Sequence, residues 1–170
     1  MTEIYLVRYG SVPEVARFEW AGTGHPARGE RVVVQSHRGL QLGQVLESVS
    51  SQAASADEVS TDFTIVRRAT AEDEMTNERH RANCEAEYYD WCRRVLLWNL
   101  PLEVIDLERT LDGEKLILYV LTERGPATTT LALQAAAEGL GVIEVQPVSS
   151  TGLLAVETGG CGSGGCGCHS

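Results

Sequence analysis

The chain reads as an α+β protein, with a small N-terminal antiparallel sheet or partial barrel, then a long helix, a β-hairpin, a short helix and a last strand. Three observations predict this order. Short apolar runs separated by Gly- and Pro-bearing turns fill residues 1–50. One stretch between Thr70 and Pro101 carries apolar residues at helical spacing. Asp112-Gly113 then divides two apolar runs, the mark of a hairpin turn.

Each element has its own warrant. Ile4, Leu6 and then Tyr9 predict a half-buried first strand, and Val15 to Trp20 alternates with Phe18 and Trp20 on one side. Gly22 to Gly29, with Gly24, His25 and Pro26, reads as a loop. Arg31 to Val34 is a short β-branched run. Leu40 to Leu46 is a fourth strand, with a bulge or close backbone contact expected at Gly43. Ser50 to Asp62 is rich in Ser, Ala and acids and reads as a linker, and Phe63 to Val66 as one more strand.

The string Thr70-Ala71-Glu72-Asp73 is a capping box with Asp in the Glu position, so a helix should start there. It should run to about Trp98 and stop before Pro101, with Cys84, Tyr88, Cys92 and Val95 in its apolar line. Two strands follow, Leu102 to Thr110 and Lys115 to Thr122, then an Ala-rich helix from Thr128 to Glu138 and a strand from Gly141. The expected organisation is a β lobe at 1–50, a linker at 51–62, an α+β lobe at 63–148 and a Gly/Cys-rich flexible tail at 149–170.

Composition narrows the function. Thirteen arginines and the single Lys115 face 24 acids, for a net charge of −10. A phosphate-backbone binder needs a basic face, so nucleic acid is disfavoured as a partner. The pairs Arg67-Arg68 and Arg93-Arg94 sit among acids and read as paired surface groups. No apolar run is long enough for a membrane span. The opening MTEIYLVRYG reads as a strand and not as a secretory signal, so the expected location is cytoplasmic. No Ser-His-Asp string, P-loop or dinucleotide fingerprint is present, no catalytic residue is assigned, and a non-enzyme is expected.

The sharpest chemical feature is the end, GGCGSGGCGCHS. Cys161, Cys166 and Cys168 lie there among six glycines, followed at once by His169. Such a segment has no apolar side chains with which to bury thiols, but glycine lets a backbone wrap closely around a metal centre. Clustered cysteines in a reducing compartment point to metal or redox chemistry. Thiolates suit an iron–sulfur cluster and also zinc. A four-iron cluster would draw its fourth ligand from Cys84, Cys92 or a partner protein, whereas zinc would be satisfied by the three cysteines and His169. For Cys84 and Cys92 themselves, core packing is the expected role.

Three segments together resemble one family. Ser36-His37-Arg38-Gly39-Leu40-Gln41-Leu42-Gly43-Gln44-Val45 is similar to the Thr-x-Arg-Gly-Leu-x-Leu-Gly-x-Val signature of the polymerase-suppressor (PSP-one) C-terminal domain family. Val66 to Asp73 resembles its Arg-x-Ala-Thr-x-x-Asp segment, and Leu100 to Tyr119 its hairpin, Asp-Gly turn and following Lys included. The tail resembles that of the YaaT/RicT-like bacterial branch, with Gly167 inserted between the last two cysteines. The resemblance implies a regulatory subunit that binds an iron–sulfur cluster through its C-terminal cysteines. It further implies a multi-subunit complex associated with ribonuclease Y and messenger RNA processing. Two charged segments of that branch are replaced here, by Glu123 to Thr128 and by Pro147 to Leu154.

Two other readings stay open, a zinc-binding protein on the residues alone and an RNA-binding module, built on the N-terminal strands, as the family resemblance implies. Within the signature, Gly39 is expected to supply a positive φ in a tight turn. Arg38 is either part of that structure or a charge presented to a partner, and Leu40, Leu42 and Gly43 complete the motif.

Overall fold

A computed structural model of the chain describes residues 3–49, 63–122, 125–149 and 152–153. The fold is α+β. Five strands, β1 (Glu3–Tyr9), β2 (Glu14–Trp20), β3 (Arg31–Ser36), β4 (Gly39–Val49) and β5 (Thr64–Arg68), close into a barrel in the order β1-β2-β5-β3-β4. After α1 (Ala71–Leu97) come β6 (Glu103–Arg109), β7 (Lys115–Leu121), α2 (Ala127–Ala137), β8 (Val142–Ser149) and the two-residue β9 (Gly152–Leu153). These last four strands form a second sheet in the order β6-β7-β8-β9. The expected linker at 51–62 and most of the expected tail lie outside the described residues.

The barrel interior is built by alternation. Tyr5, Val7 and Tyr9 of β1 point inward with Phe18, Trp20, Val32, Val34, Val45 and Ile65. This is the opposite face of β1 from Ile4 and Leu6, which are only half-buried. Both faces of β1 are apolar enough to alternate. The interior takes the one bearing the two tyrosines because their hydroxyls reach the rim, at Glu3 Oε2 (2.7 Å) and Glu14 Oε2 (3.0 Å).

Closure depends on β5. It pairs antiparallel with β3 and, at Glu19 and Thr64, parallel with β2. The strand after the linker therefore belongs to the N-terminal barrel, although it lies beyond the 1–50 boundary. Closing the barrel leaves neither β2 nor β3 with an open edge.

Gly43 makes the predicted close contact. A Cβ there would lie 2.5 Å from Val7 Cγ1, inside the barrel, where β1 and β4 also change register between Leu6 and Val7.

Helix α1 begins as its sequence dictates. Thr70 is the N-cap, its hydroxyl accepting from the Asp73 N–H while the Asp73 carboxylate accepts from the Thr70 N–H. Arg67 donates to the same carboxylate through both terminal guanidinium nitrogens, Nη1 and Nη2. The helix buries Cys84, Trp91 and Val95, with Tyr88 and Cys92 half-buried beside them, against Leu107, Leu118 and Val120 of the second sheet. The β6–β7 hairpin turns at Gly113 (φ +76°), and Thr110 Oγ1 bonds Asp112 Oδ1 at 2.6 Å. Strands β7 and β8 run parallel, with α2 as the crossover between them. Ordered strand structure continues past Val148, because β8 ends at Ser149 and β9 pairs Leu153 with Val148. Gly152–Leu153, within the expected tail, is thus strand.

Strand β7 is buried on both faces. Leu116, Leu118 and Val120 meet the helices, while Ile117 and Tyr119, both fully buried, point the other way. This is why its sequence, KLILYVL, is a nearly continuous apolar run and not an alternation.

Candidate functional site

The barrel and the second sheet meet through the signature segment. Strands β3 and β4 turn at His37 and Arg38, where Ser36 Oγ accepts from the Arg38 N–H at 3.1 Å. Gly39 follows with φ +123°, and a Cβ there would lie 3.0 Å from Thr110 Cγ2. The positive φ expected from the sequence is present, and the approach of the β6–β7 hairpin is a second reason for glycine. The main chain joins directly here, Leu111 N–H donating to the Leu40 carbonyl at 2.8 Å.

Arg38 is fully buried at this junction. It is therefore not a charge shown to a partner. Its Nη2 donates to Glu14 Oε2 at 2.9 Å, and the guanidinium lies 5.1 Å from the Tyr9 ring centroid and 5.7 Å from that of Tyr119. Such placement supplies cation–π attraction. Arg38 Nε and Nη1 have no hydrogen-bond partner. Burial works against the guanidinium's charge, and Tyr119, Tyr9, Glu14 and Glu108 outweigh it, so its pKa stands above the ordinary arginine value.

Glu108 on β6 is the other anchor of this network. One carboxylate oxygen accepts from Gln41 Nε2 (2.9 Å), the other from the Tyr119 hydroxyl (2.5 Å) and the Ser11 N–H (2.9 Å). Burial first, then Glu108, pushes the Tyr119 hydroxyl well above its usual pKa. Ser36 Oγ donates to Gln41 Oε1 at 2.6 Å and completes the chain of bonds. Of the five motif residues, Arg38 and Gly39 make the junction, the Leu40 carbonyl ties it to the hairpin, Leu42 is buried, and Gly43 admits Val7. Glu14, Glu108 and Tyr119 could not be found from the sequence, because no local pattern links positions this far apart along the chain, and Gln41 stands in the signature at a position that the signature leaves open.

Beside this network a cleft of about 300 Å³ opens between the barrel and the α1–β6 layer. Its walls include Arg8, Arg31, Arg81 and Arg109, together with His80 and Cys84 of α1. The acids Glu85, Asp106 and Glu108 share it. Burial raises the Asp106 carboxyl above its ordinary pKa. His80 is half-buried rather than solvated, and burial, then Arg109 and Arg79, pull its pKa down. Burial pushes the Cys84 thiol up to about 11. Burial of this kind disfavours the thiolate near neutral pH.

Other expected sites resolve simply. Cys84 is in the core, and Cys92 is packed against it. Arg67 pairs with Asp73, Arg68 with Glu30 and Arg93 with Asp90, while Arg94 lies over the Trp91 ring. His25 meets Glu3, and His37 stacks on Phe63. Cys161, Cys166, Cys168 and His169 lie outside the described residues. Among the described residues, no group of three or more His, Cys, Asp or Glu is placed to hold a metal. No helix among them is long and apolar enough to cross a membrane. Compared with protein-family models, curated proteins and solved structures, the chain has no match.

Proposed function

We propose that this protein is a non-enzymatic adaptor or regulatory subunit. Its α+β body docks partner proteins, and Cys161, Cys166 and Cys168 hold an iron–sulfur cluster. The observation that carries the docking half is a stripe on the outer face of α1. Tyr89, Leu96 and Leu97 are each about three-quarters exposed. Positions 89, 96 and 97 fall on one side of a helix two turns apart, and Arg93 stands between them. Aromatic, aliphatic and Arg side chains grouped this way mark a protein interface better than they mark solvated surface.

The cluster half rests on the donor set. Three thiolates within eight residues, separated by glycine, suit a soft metal centre. When bound, the cluster would supply redox sensitivity. The chain's own part is to present the thiolates together, with a fourth ligand from a partner. Zinc held by the same cysteines and His169 is the second reading, favoured by the imidazole next to Cys168. By its family resemblance, the complex served would be a cytoplasmic one associated with ribonuclease Y in messenger RNA processing.

The test is anaerobic purification with iron, zinc and visible absorbance measured on the parent and on each Cys→Ser variant. Broad visible absorbance and iron, lost in Cys161→Ser, Cys166→Ser and Cys168→Ser but kept in Cys84→Ser, is the expected result. Colourless protein with one zinc supports the second reading. Equal metal content in the parent and all three tail variants rules out the tail as the site.

A further inference from the structure

The outer face of α1 is patterned along its whole length. Met75, Ala82, Tyr89 and Leu96 follow one another at intervals of seven, and Arg79, Ala86 and Arg93 each fall four residues after one of them. All seven are exposed. They lie opposite Cys84, Trp91 and Val95, which α1 buries. Alternating steps of four and three give a straight seam, the pattern by which one helix packs along another. The seam is graded in size, with Met75 and Leu96 at its ends and the two alanines between. It is also signed. Glu78 and Arg79 stand in its first half, Asp90 and Arg93 in its second.

This order is complementary to its own reverse. Placing a two-fold axis midway, between Glu85 and Ala86, sets Met75 of each copy against Leu96 of the other. The Tyr89 ring then lies over Ala82, a large side chain on a small one. The same axis sets Glu78 against Arg93 and brings Arg79 within a turn of Asp90. Each pair occurs twice, as a two-fold contact between identical surfaces requires. A parallel pair would instead set Arg79 against Arg79 and Arg93 against Arg93, and like charges so placed cost affinity. Among the described residues, Arg93 pairs with Asp90 of its own helix at 3.4 Å, and both side chains are exposed. An exposed pair of that kind contributes little and is readily exchanged. Glu85, nearest the axis, stands to one side of the seam and meets Arg81 at 3.5 Å.

We propose that this face binds a second copy of the same chain, α1 against α1 in the antiparallel sense. The inference rests on the reading of the α1 face as an interface and names its occupant. It is independent of the tail cysteines. A single pair of helices is small for a protein interface, so the pairing is weak and reversible, with a Kd of roughly 10–100 μM.

The experiment is sedimentation equilibrium of the full chain from about 10 μM to about 500 μM. Reducing buffer and a chelator exclude joining of copies through the tail cysteines. A mass that rises with concentration from one chain toward two is expected. Tyr89→Glu should raise the Kd tenfold or more, with circular dichroism matching the parent because the position is exposed. Glu78→Arg and Arg93→Glu should each raise it several-fold. The double variant Glu78→Arg/Arg93→Glu should recover most of the parent affinity, since the swapped charges meet again across the axis. A parent that stays monomeric at about 500 μM, five times the weakest expected midpoint, overturns self-pairing alone and leaves the face to a different protein. A dimer that persists in both Tyr89→Glu and Leu96→Glu lies elsewhere, and overturns the reading of the α1 face as an interface as well. A double variant weaker than either single one overturns the antiparallel arrangement.

Discussion

Replacing Arg38 tests whether the junction between the barrel and the second sheet depends on the guanidinium or on the bulk of the side chain. Arg38→Ala removes the ion pair with Glu14, the contacts with the Tyr9 and Tyr119 rings, and a large fully buried volume. Breaking a buried pair by deleting one partner costs about 3–5 kcal/mol. The Glu14 side chain is 33% exposed, so water recovers part of its solvation, and the lower end of that range applies. The expected loss for Arg38→Ala is about 3 kcal/mol. Arg38→Met keeps most of the stem and removes two buried donor nitrogens that have no acceptor. Each such donor carries a desolvation penalty of about 1–3 kcal/mol, whose relief offsets much of the lost pairing in both variants, but in Arg38→Ala the cavity left by the buried stem adds about 2–5 kcal/mol back. Arg38→Met should therefore lie within about 1 kcal/mol of the parent. Urea unfolding with linear extrapolation measures both variants. A methionine variant as unstable as the alanine variant would show that the charge itself holds the junction, and the reasoning from unsatisfied donors would be refuted.

Gly39→Val should cost about 1 kcal/mol or more in urea unfolding, because φ +123° and the nearby Thr110 methyl both oppose a side chain, and parental stability would show that the turn does not need glycine. Asp73→Ala should cost about 1 kcal/mol at pH 7 by removing the capping box. The Asp73 carboxylate, gripped by Arg67, has its folded-state pKa held well below the usual carboxylate range. Its stabilisation is therefore present above the unfolded pKa of about 3.9 and fades as pH falls toward the folded value, so the gap between parent and variant should narrow below about pH 4. A gap that is constant from pH 7 to pH 2.5 would contradict that assignment.

Local chemistry was readable in the sequence, and long-range closure was not. Helix α1 was legible at both ends, because Thr70 and Asp73 satisfy each other's backbone donors and Pro101 forbids continuation. The hairpin was legible from Asp112-Gly113, and the close contact at Gly43 from a glycine inside a strand. The side of β1 that faces inward was not legible, since Ile4 and Leu6 compete with Val7 and two tyrosines, and only a curved sheet decides between them. The place of β5 was hidden because chain order groups it with α1 and the second sheet, while the open edges of β2 and β3 draw it back. For Arg38 the sequence left two roles open. The choice between them depends on Glu14, Tyr9 and Tyr119, which come from three different strands.

The buried network and the open cleft share residues. Tyr9 flanks Arg38 and lines the cleft, and Glu108 both anchors the network and faces the cleft. The Ser11 backbone, donating to Glu108, ties the β1–β2 turn to β6 across the same gap. We infer that Arg38 positions the cleft walls by fixing Tyr9 and the turn beyond it. A positioning role predicts that Arg38→Met, although nearly as stable as the parent, displaces the β1–β2 turn. Amide shifts at Gly10 and Ser11 in the ¹H–¹⁵N spectrum of Arg38→Met, relative to the parent, are the expected pattern. Unchanged shifts at both residues would mean that the turn holds its place without Arg38, and that the network and the cleft are neighbours with no coupling between them.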